Sequence, residues 1–181
     1  MIELYLIRHC QTSGQEPEAM LTRVGVTQSH ELASKLSRIK FKRIISSHYT
    51  RAVQSAEPIA QALGVKLEID ERLCERNLGL VEGEDWRTQL EKTFDDYDLT
   101  FPHGESSREA TGRAMLAVNE AIASAEYPIA LVTHGNLLSL IGRAFDPTIG
   151  YAFWKQLKSP DVFEVQLEKP RRVSRFAYDE L

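Results

Sequence analysis

Apolar residues in this chain follow two rhythms. Residues 2 to 8, IELYLIR, are apolar at nearly every position and read as a strand buried on both faces. Residues 25 to 39 carry Val26, Leu32, Leu36 and Ile39 at near-helical spacing. KRIISS at 42 to 47 is a second strand, followed by a helix over 50 to 63 that stops at Gly64. VKLEI is a third strand. The longest helix spans 106 to 126, with Ala110, Met115, Val118 and Ile122 on its apolar stripe. PIALVT at 128 to 133 is a fourth strand, which runs into a helix over 136 to 145. The tail holds two further strands, DVFEVQL and RRVSRFAY, separated by Lys169-Pro170.

Strands alternating with helices predict an α/β fold: a single three-layer α/β/α domain over 1–181, with a mostly parallel central sheet and helices on both faces. No repeat or linker divides the chain. Residues 84 to 105, with Trp86, Phe94, Tyr97 and Phe101 among acids, are the least regular. They read either as a small flap over a site or as a surface helix with a long loop.

Composition narrows the partners. Apolar residues make up 43% and charged residues 27%, and the net charge of −4 repels polyanions. Nucleic acid is therefore not the expected partner, and an anionic ligand needs a local cluster of Arg or Lys. Two cysteines, Cys10 and Cys74, make no disulfide framework and have no zinc spacing. The N-terminal apolar run is cut short by Arg8 and does not read as a signal peptide, and no run approaches membrane-spanning length. A soluble, cytoplasmic protein without membrane association is the expectation. Oligomeric state is not legible.

In open α/β sheets, ligands bind beyond the carboxyl ends of the strands. Arg8 and His9 end the first strand, and His134 ends the fourth in the same manner, just before a Gly that opens a helix. Ser46, Ser47, His48 and Arg51 follow the second strand, and Glu75 lies just past the third. Singly, each reads as an ordinary loop or helix-start residue. Jointly, two histidines, two arginines and a carboxylate at one rim predict a site for an anion.

Six segments, RHCQT, LTRVGVTQSHELASKL, RIISSHYTRAVQSAEPIA, RLCERNLGLVEG, PHGES and LVTHGN, resemble the successive motifs of the histidine phosphatase superfamily, the phosphoglycerate mutase-like enzymes. The resemblance runs in order from residue 4 to about 142. It implies His9 as the nucleophile that takes a phosphoryl group, and Arg8 and Arg51 as the phosphate clamp. It implies His134 as a second phosphate-facing histidine, most useful when protonated, with Gly135 and Asn136 offering helix N-terminal amides. Glu75 matches the acid that protonates the leaving oxygen and then activates water. Glu105 is the rival acid, ranked as a supporting residue. Thr12, Gln15 and Thr22 match further phosphate-pocket positions. The resemblance implies neither metal nor cofactor. Departures are Cys10 in place of a Gly, His48 where Pro is commoner, and a short loop from Ser13 to Met20.

Mutases of this family typically follow the acid with Arg-His-Tyr, where this chain has Arg76-Asn77-Leu78. Their Lys shortly after the Glu-Gly pair is missing, and Glu84-Asp85 follow Gly83 instead. The expectation is thus a metal-independent phosphatase for a small phosphomonoester, with phosphoglycerate mutase-type transfer second. A phosphate-binding module without chemistry would lack His9 or Glu75. A metal-dependent hydrolase is disfavoured, because Arg8 and Arg51 repel a cation. Trp86, Arg87, Phe94, Tyr97 and His103 are candidate selectors of the substrate. Cys10 and Cys74 flank the chemistry; packing is the preferred role for Cys10, ahead of a redox switch and of a thiolate nucleophile.

Overall fold

The computed structural model describes residues 2–80 and 85–177. Alternation within β1 (Ile2–Arg8) decides the layering: Leu4 and Leu6 enter one core, while Tyr5 and Ile7 enter another on the opposite face. The other strands are β2 (Arg43–Ser46), β3 (Leu67–Ile69), β4 (Ile129–Thr133), β5 (Asp161–Gln166) and β6 (Arg172–Arg175). They form one mixed sheet in the order β3-β2-β4-β1-β5-β6. The first four are parallel; β5 and β6 add to β1 as antiparallel neighbours. Tyr5, Ile7, Ile44, Ala130 and Val132 pack under α1 (Arg23–Leu36) and α2 (Thr50–Leu63). Leu4, Leu6, Ile129 and Leu131 pack under α3 (Trp86–Asp95), α4 (Ser107–Ala123) and α5 (Gly135–Phe145). The short α6 (Tyr151–Lys155) contacts both α3 and α5. The result is a single α/β domain with a sheet between two helical layers.

Local chemistry explains where the elements start and stop. Thr22 caps α1, its hydroxyl accepting from the amide of Gly25 at 3.0 Å. That start puts Gly25, Ser29, Leu32, Ala33 and Leu36 inward, so Val26 is exposed and Ile39 lies beyond the helix. Ser106 and Glu109 form a reciprocal capping box that opens α4. Gly64 ends α2 in the left-handed conformation at φ 64°, where a side chain would be strained. The 84–105 stretch contains α3, but residue 84 lies outside the described residues, as does Tyr178 of the last predicted strand. The helix α6 was not foreseen: YAFWK is too short to show a period.

Candidate active site

Strand register brings the charged residues level. Arg8 pairs with Thr133 across β1 and β4, and Ser46 lies beside Val132 on one side and Ile69 on the other. The chain then turns off each strand over the same rim.

His9 is 5% exposed, and its Nδ1 lies 2.7 Å from the carbonyl of Cys10. A carbonyl can only accept, so Nδ1 carries the proton and Nε2 keeps its lone pair. Burial, with the cations Arg51 and Arg8 nearby, outweighs the hydrogen bond to Cys10 and lowers its pKa to about 3. His9 is therefore a neutral imidazole at physiological pH. The His134 ring sits 5.1 Å away, centroid to centroid, and its Nε2 is 2.8 Å from the Ser47 hydroxyl. His134 would serve a phosphate best when protonated, but the protein's own groups pull the other way. Burial first, then His9, Arg51 and His48, hold its pKa well below the ordinary value. Only a neighbouring anion would reverse that balance.

Arg51 is 1% exposed, and its Nη1 donates to the carbonyl of Glu16 at 2.8 Å. Arg8 donates through Nη1 to the carbonyls of Leu157 and Lys158, each at 3.2 Å. Backbone carbonyls thus aim both guanidiniums, and no carboxylate forms an ion pair with either among the described residues. Burial lowers the pKa of both, against the pull of Glu75. Gly135 lets Arg8 lie close: a Cβ there would stand 3.2 Å from the Arg8 Cζ and Nε.

Glu75 is held by three backbone amides. Oε1 accepts from Arg76 at 2.9 Å and Leu137 at 3.0 Å, and Oε2 from Asn136 at 3.1 Å. The N-terminus of α5 therefore serves a carboxylate of the protein itself. This corrects the expected use of the Asn136 amide for phosphate: that donor is already engaged by Glu75. The Asn136 side chain remains without partners at both Oδ1 and Nδ2. Glu105 is in no position to compete as the acid, because Arg113 grips it at 2.6 Å through Nη2 and 3.0 Å through Nε. Arg113 also donates to the carbonyls of Arg72 and Cys74, bracing the loop that presents Glu75.

The loop residues divide. The Thr12 hydroxyl donates to the carbonyls of Gly14 and Met20, and the Thr22 hydroxyl to Gln11 Oε1 at 2.7 Å. Both side chains thus serve their own loop and helix cap. Gln15 lines a cavity of about 470 Å³ together with Arg8, Glu75, Arg76, Leu78, Trp86, Leu90, Gly135, Asn136 and Trp154. Cys10 is fully buried among apolar residues, and burial pushes its thiol up to about 11, which disfavours a thiolate. Cys10 and Cys74 are both free.

Three residues escaped the sequence reading as parts of the site: Arg76, Arg113 and Trp154. Arg76 is buried, gives Nη1 to the Thr93 and Ser107 hydroxyls, and leaves Nη2 without a partner. Its adjacency to Glu75 was the available signal. Of the five candidate selectors, Trp86 alone lines the cavity. Phe94 is core, Tyr97 lies under Arg143, Arg87 stacks on Trp86, and the His103 carbonyl accepts from Asn77.

Buried side-chain nitrogens and oxygens without partners occur among the described residues at Arg8, Arg51, Arg76, His134 and Asn136, all in this one region. Each would cost about 1–3 kcal/mol if nothing met it. Such a donor-rich, cation-rich cluster is built to receive an anion.

Residues 4–169 match the family model of the histidine phosphatase superfamily, branch 1. A relative in Proteus mirabilis (strain HI4320), named "Probable phosphoglycerate mutase GpmB", is 32% identical over 160 residues, covering 78% of this chain and 73% of that protein. A relative of the same name in Escherichia coli (strain K12 / DH10B) is 31% identical with the same coverage. Among solved structures, a phosphoserine phosphatase mutant from Entamoeba histolytica in complex with phosphoserine superposes with a TM-score of 0.80 at 20% identity, over 100% of both chains. A mycobacterial glucosyl-3-phosphoglycerate phosphatase complexed with inorganic phosphate gives 0.73 at 25% identity, over 98% of this chain and 96% of that one. Fold, motif order and family match agree: this chain belongs to the histidine phosphatase superfamily.

Proposed function

We propose that the chain is a phosphatase that hydrolyses a small phosphomonoester through a phosphohistidine at His9. The observation that carries this reading is His9 itself: a neutral imidazole with Nδ1 tied to a carbonyl, beside two arginines that form no ion pair among the described residues. Nε2 attacks phosphorus, and the P–O bond to the alcohol breaks. Glu75, in its acid form, gives its proton to the leaving oxygen. Water then attacks the phosphohistidine, Glu75 takes a proton from that water, and inorganic phosphate departs with His9 restored. Arg8 and Arg51 neutralise the transferring group, so positioning and charge carry most of the catalysis. A bound phosphate would also supply the counter-charge that His134 needs to become a donor to it. We place the protein in the cytoplasm, consistent with its two free cysteines; no helix among the described residues is long and apolar enough to cross a membrane.

A second reading, phosphoglycerate mutase, draws on the names of the relatives and on Arg76, a cation in the cavity that offers a grip for a second acidic group. The two separate in one assay. Incubated with 3-phosphoglycerate and a trace of 2,3-bisphosphoglycerate, a phosphatase releases inorganic phosphate and makes little 2-phosphoglycerate. Rapid isomerisation without phosphate release favours the mutase. Neither activity, with nitrophenyl phosphate also untouched, overturns both.

A further inference from the structure

The cavity lined by Arg8 and Glu75 is larger than a phosphate needs, and two tryptophans share its lining. Trp86 on α3 and Trp154 on α6 meet edge to face, with centroids 5.7 Å apart and planes at 86°. Each ring is held by a second partner. Tyr151 stacks on Trp154 at 5.4 Å and 16°, and the Arg87 guanidinium lies 4.7 Å from the Trp86 centroid. Leu78 and Leu90 add to the apolar lining, and Arg8, Arg76 and Glu75 supply its charge. Trp86 is 45% exposed, a large apolar surface left to water beside a cavity. A short acyclic acid has no flat face to lay against this corner. A ring does, because both an aromatic π-face and the C–H face of a pyranose stack on indole.

We infer that Trp86 and Trp154 select the leaving group, and that the preferred substrate is a phosphomonoester whose alcohol carries a six-membered ring with a stacking face, aromatic or pyranose. This rests on the phosphatase reading for its chemistry, but binding tests it separately. The chain has two tryptophans, and both line this cavity, so intrinsic emission reports its occupancy directly.

The experiment titrates the protein with benzylphosphonate, the phosphonate analogue of glucose 6-phosphate, and methylphosphonate, none of which can be hydrolysed at the P–C bond. At least one ring compound is expected to change tryptophan emission and to bind about tenfold or more tightly than methylphosphonate. Which of the two does so identifies the kind of ring. In Trp154→Leu, and in Trp86→Leu at the more exposed of the two rings, the loss of affinity should be at least about fivefold larger for the favoured ring compound. Equal affinities in the wild type, or equal losses in both variants, would overturn the inference. Turnover then separates the two levels. If benzyl phosphate, glucose 6-phosphate and glycerol 3-phosphate are hydrolysed with equal kcat/KM, the ring preference fails and the phosphatase reading stands. If the ring phosphonate is preferred but no monoester is turned over, the catalytic reading fails and the selector assignment stands.

Discussion

His9 and Glu75 are both positioned by backbone groups, one by a carbonyl and the other by three amides, so each side chain has its orientation set before substrate arrives. Their roles differ in what they demand of the substrate. A donor to the leaving oxygen matters most when that oxygen leaves poorly. Glu75→Gln is expected to lower kcat/KM, which reports formation of the phosphohistidine, by about 100-fold or more for an alkyl phosphate and by less than about tenfold for nitrophenyl phosphate. Equal damage to both would remove Glu75 from the acid role. Cys10 stands beside His9 in the chain, yet its burial and raised pKa give it a packing role. That assignment was legible from residue type alone, whereas the engagement of the Asn136 amide was not. Helix N-termini invite anions, and no spacing rule says whether the anion is a ligand or a carboxylate of the same chain.

Elements deliver these residues, and the strand-to-loop grammar was the readable part. Apolar runs ending in Arg8-His9, Ser46-Ser47 and Thr133-His134 marked the ends of three parallel strands, and the structure sets them side by side. Periodicity was weaker at helix starts: Val26 counted as core until the Thr22 cap rotated it outward. It was silent on α6, whose five residues cannot complete two turns. The junction of β4 with α5 permits a direct test. Arg8 is tied down through Nη1, and a Cβ on Gly135 would stand 3.2 Å from its Cζ and Nε and 3.4 Å from its Nη2. Gly135→Ala should push the guanidinium aside and raise KM about tenfold, with the unfolding temperature lowered by no more than a few degrees. An unchanged KM would show that Arg8 is free to yield.

At the scale of the whole molecule, one site concentrates the buried cations and the buried histidines, and stability must register that. In the unfolded chain both histidines titrate near 6.5, whereas in the folded protein His9 titrates near 3 and His134 is also strongly lowered. Between those values the unfolded chain binds more protons than the folded one. Stability is thus fully present above pH 6.5 and falls as pH drops below it, by up to about 1.4 kcal/mol per pH unit for each histidine. The urea midpoint of the wild type should decline from pH 6.5 to 5, and His9→Gln should flatten that decline. A variant with the wild-type slope would contradict the buried, neutral state of His9. On the proposed reading the same concentration of charge takes the place of a metal, two arginines supplying what a divalent ion gives other phosphoryl-transfer sites. Turnover should survive exhaustive EDTA treatment; a loss restored by one divalent ion would contradict this.

The central claim is that phosphorus passes through His9, and trapping the intermediate tests it most directly. Acid lability is the hazard, so the quench should be alkaline, followed by peptide mapping at neutral pH. Glu75→Gln should accumulate the intermediate from nitrophenyl phosphate, because the step that activates water is slowed more than its formation. The account predicts one acid-labile phosphate per chain, located on His9 and absent from His9→Ala. Phosphate on His134 or Cys10 with His9 intact, or full turnover by His9→Ala, would contradict it.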